Sequence, residues 1–323
     1  MHRGWRFAVK GETVAPMTVV AVIFPIALTI FAGWAARRSG FVGKEAWPGI
    51  ETLSFRVLIP AILIASISEA DLTWSRIGPL SLSLVATLAV IACAVFALSR
   101  LPRVRDIGNP ALSTLFQTST RWNAFVSLAA ADLMAGADGV LLIAVAMAVL
   151  IPIINVGNIL VVASLVAADA GWRKVVRTVA TNPLVIACAI GLTLNFGFGG
   201  LPDILLNGFD IVGRAALGVG LLCVGASVEI RRFVSVTPQV LIALFLRPVA
   251  APLIFLAIGI LFGLSAPELV AGILVTAVPA ASNGFIVARA MGGDAEMYAD
   301  VLAWQTLVSL LALPIYLAVA ASL

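Results

Sequence analysis

From residue 17 onward the chain is a succession of long apolar runs separated by short polar, basic or Gly/Pro-bearing joints. The runs fall at about 17–36, 49–68, 77–98, 110–131, 139–168, 182–197, 203–228, 236–263, 268–290 and 296–321. Most approach the roughly 20 residues that cross a bilayer as a helix. None alternates apolar and polar positions with the period of two expected of a barrel strand. Each run therefore predicts a helix, which satisfies its own backbone in lipid. The expectation is an all-α polytopic membrane protein of about ten transmembrane helices.

The pattern repeats. Asn123-Ala-Phe-Val in span 4 matches Asn283-Gly-Phe-Ile in span 9 at a shift of 160 residues. Phe24-Pro25 with Gly33 matches Asn182-Pro183 with Gly191 at 158, and Ile151-Pro152-Ile153 matches Leu313-Pro314-Ile315 at 162. A nearly constant shift across three weak matches points to two five-helix units. Five is odd, so the units insert with opposite topology, as in the inverted repeats of secondary transporters. The predicted organisation is a leader at 1–16, a first repeat at 17–168, a short cytoplasmic linker at 169–181 and a second repeat at 182–323. Residues 1–16 are polar and basic and lack a cleavage site after a short apolar region, and Met17 offers an alternative start.

Composition agrees. Hydrophobic residues make up 62% and charged residues 11%, with a mean hydropathy of +1.12. So few charges cannot cover a water-exposed surface. The net charge of +4 belongs to the positive-inside bias rather than to nucleic-acid binding. One set of joints holds Arg37, Arg38, Lys44, Arg100, Arg103, Arg105, Arg173, Lys174, Arg177, Arg231, Arg232 and Arg289; the opposite side holds only Arg76 and the leader's Arg3, Arg6 and Lys10. The first set is assigned to the cytoplasm, which places both termini on the other side. The cysteines, Cys93, Cys188 and Cys223, lie in apolar runs and read as packing residues. His2 is the single histidine, so no His-based metal site is expected, and no Walker A pattern suggests ATP drive.

The chemistry concentrates in spans 4 and 9. Gln117-Thr118-Ser119-Thr120-Arg121-Trp122-Asn123 does not belong against lipid, and Pro279 is followed by Ala280, Ala281, Ser282, Asn283 and Gly284. Proline removes a donor and glycine loosens the next turn. Both stretches predict broken helices that cross near the midplane, where transporter sites lie. The alternatives are a simple proline kink in span 9 and a Ser/Thr packing face in span 4.

Arg121 lies about ten residues, or about 15 Å, from either end of its span. A mid-bilayer charge costs at least about 2.5–3.5 kcal/mol and requires a partner or a wet cavity. A guanidinium there suits a carboxylate ligand; a structural ion pair is the alternative. Asn123 and Asn283 could bond a carboxylate beside exposed helix N-termini or cap their own broken helices. Asp210 and Arg214 are spaced to satisfy each other. Arg56 can snorkel, and Arg247, before Pro248, is either structural or part of an anion path. No acid lies within either predicted break.

Together these residues resemble the auxin efflux carrier family in its bacterial form, related to plant PIN-type carriers and more distantly to bile-acid/sodium symporters. The resemblance rests on Phe24-Pro25 with Gly33, Leu58-Ile59-Pro60, Arg121-Trp122-Asn123-Ala124-Phe125, Asn182-Pro183, Pro279 with Asn283, and Gly292-Gly293-Asp294-Ala295-Glu296 before a span ending at Leu313-Pro314. It implies spans 4 and 9 crossing, spans 3–5 and 8–10 as a transport domain, and spans 1, 2, 6 and 7 as a scaffold that forms a homodimer. It also implies small carboxylate substrates contacted by asparagines matching Asn123 and Asn283. The chain departs from plant members in its short joint between spans 5 and 6 and in Arg121-Trp122.

The expected function is secondary transport of a small organic anion by alternating access in a bacterial inner membrane, without enzyme activity or a cofactor. The site would comprise Thr120, Arg121, Asn123, Ser282 and Asn283, with Pro279 and Gly284 holding the span-9 break. One alternative is a sodium-coupled symporter using oxygens of Gln117 and Ser119 with Thr120 and Asn283. Another is a membrane sensor or assembly subunit that does not transport.

Overall fold

The structure, a computed structural model, describes residues 16–70, 72, 74–101, 107–166, 173, 176–177, 180–234, 236–282 and 284–322. Its elements are helical, with no strand among the described residues. In chain order they are α1 (Pro16–Ser39), α2 (Trp47–Ser68), α3 (Trp74–Leu98), α4 (Asn109–Thr120), α5 (Ala124–Leu165), α6 (Pro183–Phe198), α7 (Asp203–Ser227), α8 (Pro238–Leu261), α9 (Ala266–Thr276), α10 (Gly284–Met291) and α11 (Ala295–Ser322). The expected leader and most of the expected linker lie outside the described residues.

Among the described residues, six segments are long and apolar enough to cross a membrane: Trp47–Ser68, Ile77–Leu98, Asn109–Leu165, Asp203–Ser227, Pro238–Leu261 and Ala295–Ala320. Pro183–Phe198 and Ala266–Thr276 are apolar but shorter. Helices thus occupy the predicted runs, and α9 is short because the predicted break cuts its run in two.

The joint predicted between spans 4 and 5 is a single-residue corner. The backbone stays helical from Ala124 to Leu165 except at Gly136, whose φ of 55° and ψ of −136° a side chain would strain. Past this corner Gly139 lies so close to the Ala131 carbonyl that a Cβ would collide with it. The small residues of Ala135-Gly136-Ala137 let the chain turn there within a single residue.

Close helix packing uses glycine in the same way. Gly33 of α1 faces the Leu222 backbone of α7, and Gly225 of α7 faces that of Ile30. Gly191 of α6 meets Ile67, and Gly213 of α7 meets Ile62, both on α2. Small residues let helices approach in the absence of a hydrophobic drive between them. Asn195 of α6 adds polar glue, donating from Nδ2 to the carbonyls of Ile67, Ser68 and Ala70 at 3.1, 3.0 and 2.7 Å. α1, α2, α6 and α7 pack together in this way, while α3, α4, α5, α8, α9 and α11 pack around the two breaks.

Candidate functional site

Both predicted breaks exist, and they touch. α4 ends at Thr120, Arg121 is extended at φ −72° and ψ 150°, and α5 begins at Ala124. The second break separates α9, which ends at Thr276, from α10, which starts at Gly284. Where they meet, the Asn123 N–H donates to the Pro279 carbonyl at 2.9 Å. Ser127, one turn into α5, donates to the Leu274 carbonyl of α9 at 2.5 Å.

Breaking two helices inside an apolar protein orphans carbonyls and N–H groups that must find partners. Arg247 of α8 supplies much of the answer. It is 4% exposed. Its Nη1 donates to Ser119 O at 3.3 Å, its Nη2 to Val275 O at 2.7 Å and its Nε to Val278 O at 3.2 Å. One guanidinium thereby serves the ends of both α4 and α9. The widened helical turn at Leu246–Ala250, where Pro248 has no N–H to give, carries this arginine. Gln305 of α11 complements it. Its Oε1 accepts from Ala280 N at 2.9 Å, and its Nε2 donates to Thr118 O and Ala243 O at 3.1 and 3.3 Å. Of the two roles the sequence left open for Arg247, the structural one is observed.

Asn123 caps its own helix. Its Oδ1 accepts from Phe125 N and Val126 N at 3.1 and 3.3 Å. The oxygen is committed, so a ligand would meet the amide's N–H donors.

A cavity of about 90 Å³ lies at the crossing, walled among others by Arg121, Asn123, Asn155, Glu51, Ala281 and Ser282. Arg121 is 6% exposed, and its buried Nε has no hydrogen-bond partner among the described residues. An isolated buried charge of this kind is costly unless something pairs with it. Trp122 forms part of the same wall and, on its other side, of a pocket of about 20 Å³ shared with Ser119, Thr120 and Arg247.

The acid that neither break carries comes from another helix. Glu51 of α2 accepts a hydrogen bond from Ser282 Oγ at 2.5 Å. These two residues also line a second cavity, of about 300 Å³, which runs toward Arg37, Lys44, Glu229 and Arg232. The Glu51–Ser282 pair therefore stands between the crossover cavity and the basic face. There Arg232 holds Glu229, Glu296 and Asp300 at 3.1, 2.9 and 2.9 Å. Burial alone would lower the pKa of its guanidinium, but the hydrogen bonds to Asp300 and Glu296 raise it above the usual arginine range.

The remaining predicted residues divide. Thr120 is not on the crossover cavity: its hydroxyl donates to Phe116 O at 2.8 Å and accepts from Asn158 Nδ2 at 3.2 Å. Gln117 and Ser119 are buried, and their side-chain polar atoms have no partner among the described residues. Gly284 packs so tightly on Tyr298 that a Cβ would strike its ring, and the Tyr298 hydroxyl donates to Ala281 O at 2.7 Å. Asn283 lies outside the described residues. The expected Asp210–Arg214 pair forms at 2.7 Å on an exposed face. Sequence reasoning missed Glu51, Asn155, Tyr298 and Gln305. Gln305, a polar residue deep in an apolar run, carried a usable signal; Glu51 lies near the start of its run, where a charge is commonplace.

No curated protein matches the chain. The model of the family described as membrane transport protein matches residues 170–317. This stretch, which brings Arg247, Pro279, Ser282 and Gln305 to the crossing, is similar to the membrane transport protein family, that of the auxin efflux and PIN-type carriers.

Proposed function

We propose that the chain carries a small organic anion, a carboxylate, across the bacterial inner membrane by alternating access between two inverted five-helix units. The observation that carries this reading is Arg121: a residue 6% exposed, its Nε without a partner among the described residues, on the wall of a cavity where two broken helices meet. A carboxylate would satisfy it, with Asn123 N–H groups and the Ser282 hydroxyl as further donors and Asn283 added from the sequence alone. The basic residues along the second cavity favour the approach of an anion. On the positive-inside reading that cavity is the cytoplasmic vestibule. The α1, α2, α6, α7 group would be the scaffold and the site of homodimer contact.

The sodium-coupled reading has its own support in the unpartnered oxygens of Gln117 and Ser119. Against it, the small pocket beside Ser119 is also walled by the Arg247 guanidinium, which repels a cation. Its volume of about 20 Å³ suits one water. Counterflow of a labelled carboxylate into preloaded proteoliposomes tests the proposal. Exchange that is lost in Arg121→Ala and indifferent to a sodium gradient is expected. Exchange that needs sodium would favour the symporter, and no exchange with any carboxylate would remove the anion carrier.

A further inference from the structure

Arg121 and Glu51 carry opposite charges, wall one cavity of about 90 Å³, and form no ion pair with each other. The Arg121 Nε has no hydrogen-bond partner among the described residues, and Glu51 Oε1 accepts its hydrogen bond from the Ser282 hydroxyl. Opposite charges in a low-dielectric cavity close on each other unless the fold holds them apart. Here they sit on different bodies: Arg121 in the break after α4, and Glu51 on α2, which packs with α6 and α7. The space between them is complementary to a molecule that bears both charges.

A ligand bearing only a carboxylate satisfies Arg121 and leaves Glu51 facing it as a like charge. A dicarboxylate is worse, because its second group meets Glu51 directly, and like charges brought together in a buried site cost several-fold to many-fold in affinity. A ligand with an ammonium group gives Glu51 Oε2 a charge-assisted donor while its carboxylate reaches Arg121. The other charged groups near Glu51, namely Arg37, Lys44 and Arg232 with Glu229, lie along the neighbouring cavity.

We propose that Glu51 is a specificity-determining residue that selects small zwitterionic acids, a carboxylate with an ammonium group, over simple monocarboxylates and dicarboxylates. The proposal rests on the anion-site reading of Arg121. The closing experiment measures ligand-induced thermal stabilisation of the purified full chain with three matched series. These are glycine, β-alanine and γ-aminobutyrate; acetate, propionate and butyrate; and malonate, succinate and glutarate. Wild type is expected to bind a member of the amino series at least about tenfold more tightly than its best counterpart in the other two, as pairing of a desolvated charge implies. Glu51→Gln, which keeps an acceptor for Ser282, is expected to erase that preference and to admit dicarboxylates. Simple or dicarboxylates binding wild type as well as the amino acids do would overturn the proposal, as would a preference unchanged in Glu51→Gln. Should that variant not fold, the wild-type series decides alone. If no acid of any series binds, the anion reading fails first and takes this inference with it.

Discussion

Arg121 and Arg247 are buried to nearly the same degree, 6% and 4% exposed, yet among the described residues they differ in how their side chains are satisfied. The Arg247 guanidinium gives three hydrogen bonds to the carbonyls of Ser119, Val275 and Val278, whereas the Arg121 Nε has no partner among the described residues. The first arginine holds the crossing together, and on the proposed reading the second is free to meet a ligand. The difference makes their substitutions opposite in effect.

Arg247→Met is expected to destabilise the protein by roughly 3 kcal/mol or more, because three buried carbonyls lose their donors at once. Arg247→Lys should not restore it, since an ammonium cannot match a planar fork aimed at two helix ends. Thermal unfolding in detergent reads both. A variant as stable as wild type would show that water replaces the guanidinium.

Gln305→Leu removes the acceptor of Ala280 N and the donor of Thr118 O and Ala243 O. The expected cost is about 2 kcal/mol in stability, with a larger fractional loss in transport because the two breaks are no longer tied. Gln305→Glu keeps the acceptor but turns the donor into a charge against two carbonyls, and is expected to be no better than leucine. Parallel unfolding and counterflow measurements separate the two effects.

These two residues show what the sequence could and could not disclose. The run of seven polar residues ending at Asn123, and Pro279 with its small neighbours, marked both breaks correctly, because non-helical backbone in an apolar run leaves a local signature. The groups that satisfy those breaks come from α8 and α11, between 100 and 200 residues away from the first break, and no local pattern ties them to it. Thr120 was misplaced for a related reason. Its neighbour Arg121 faces the cavity, but one residue earlier the helix points the hydroxyl at Phe116 O and Asn158 instead. The corner at Gly136 falls inside the joint predicted between spans 4 and 5, but its single-residue form carried no signal of its own. Glu51 was passed over because its partner, Ser282, is 231 residues away.

Gly284→Ala places a methyl where the Tyr298 ring lies and is expected to cost about 1–3 kcal/mol by overpacking. Displacing the ring would also break the Tyr298–Ala281 hydrogen bond at the edge of the second break. Tyr298→Phe, which loses that bond alone, should cost about 1 kcal/mol. Thermal unfolding that ranks alanine at position 284 below phenylalanine at position 298 checks both, and the reverse order would contradict the packing.

Arg232→Ala leaves Glu229, Glu296 and Asp300 facing one another on the basic face. The loss is expected to be modest, about 1 kcal/mol, because the cluster is partly exposed and screened. It should shrink further at high salt. The guanidinium's raised pKa keeps it charged across the workable pH range. A salt series of melting curves for wild type and variant tests it, and a salt-independent difference would point to packing instead.

The most direct measurement is thermal stabilisation of the purified protein by a panel of small carboxylic acids, with Arg121→Ala beside wild type. A ligand that binds only the folded state raises stability by RT ln(1 + [L]/Kd), about 2.7 kcal/mol at a hundredfold excess over Kd. The expected result is an upward shift with at least one acid in wild type and none in the variant. The ligand-free variant should be as stable as wild type or more so, because an unpaired buried charge has been removed. A variant that unfolds without ligand would make Arg121 structural. A shift retained in the variant, or no shift with any acid, would contradict the assignment of the crossover cavity as an anion site.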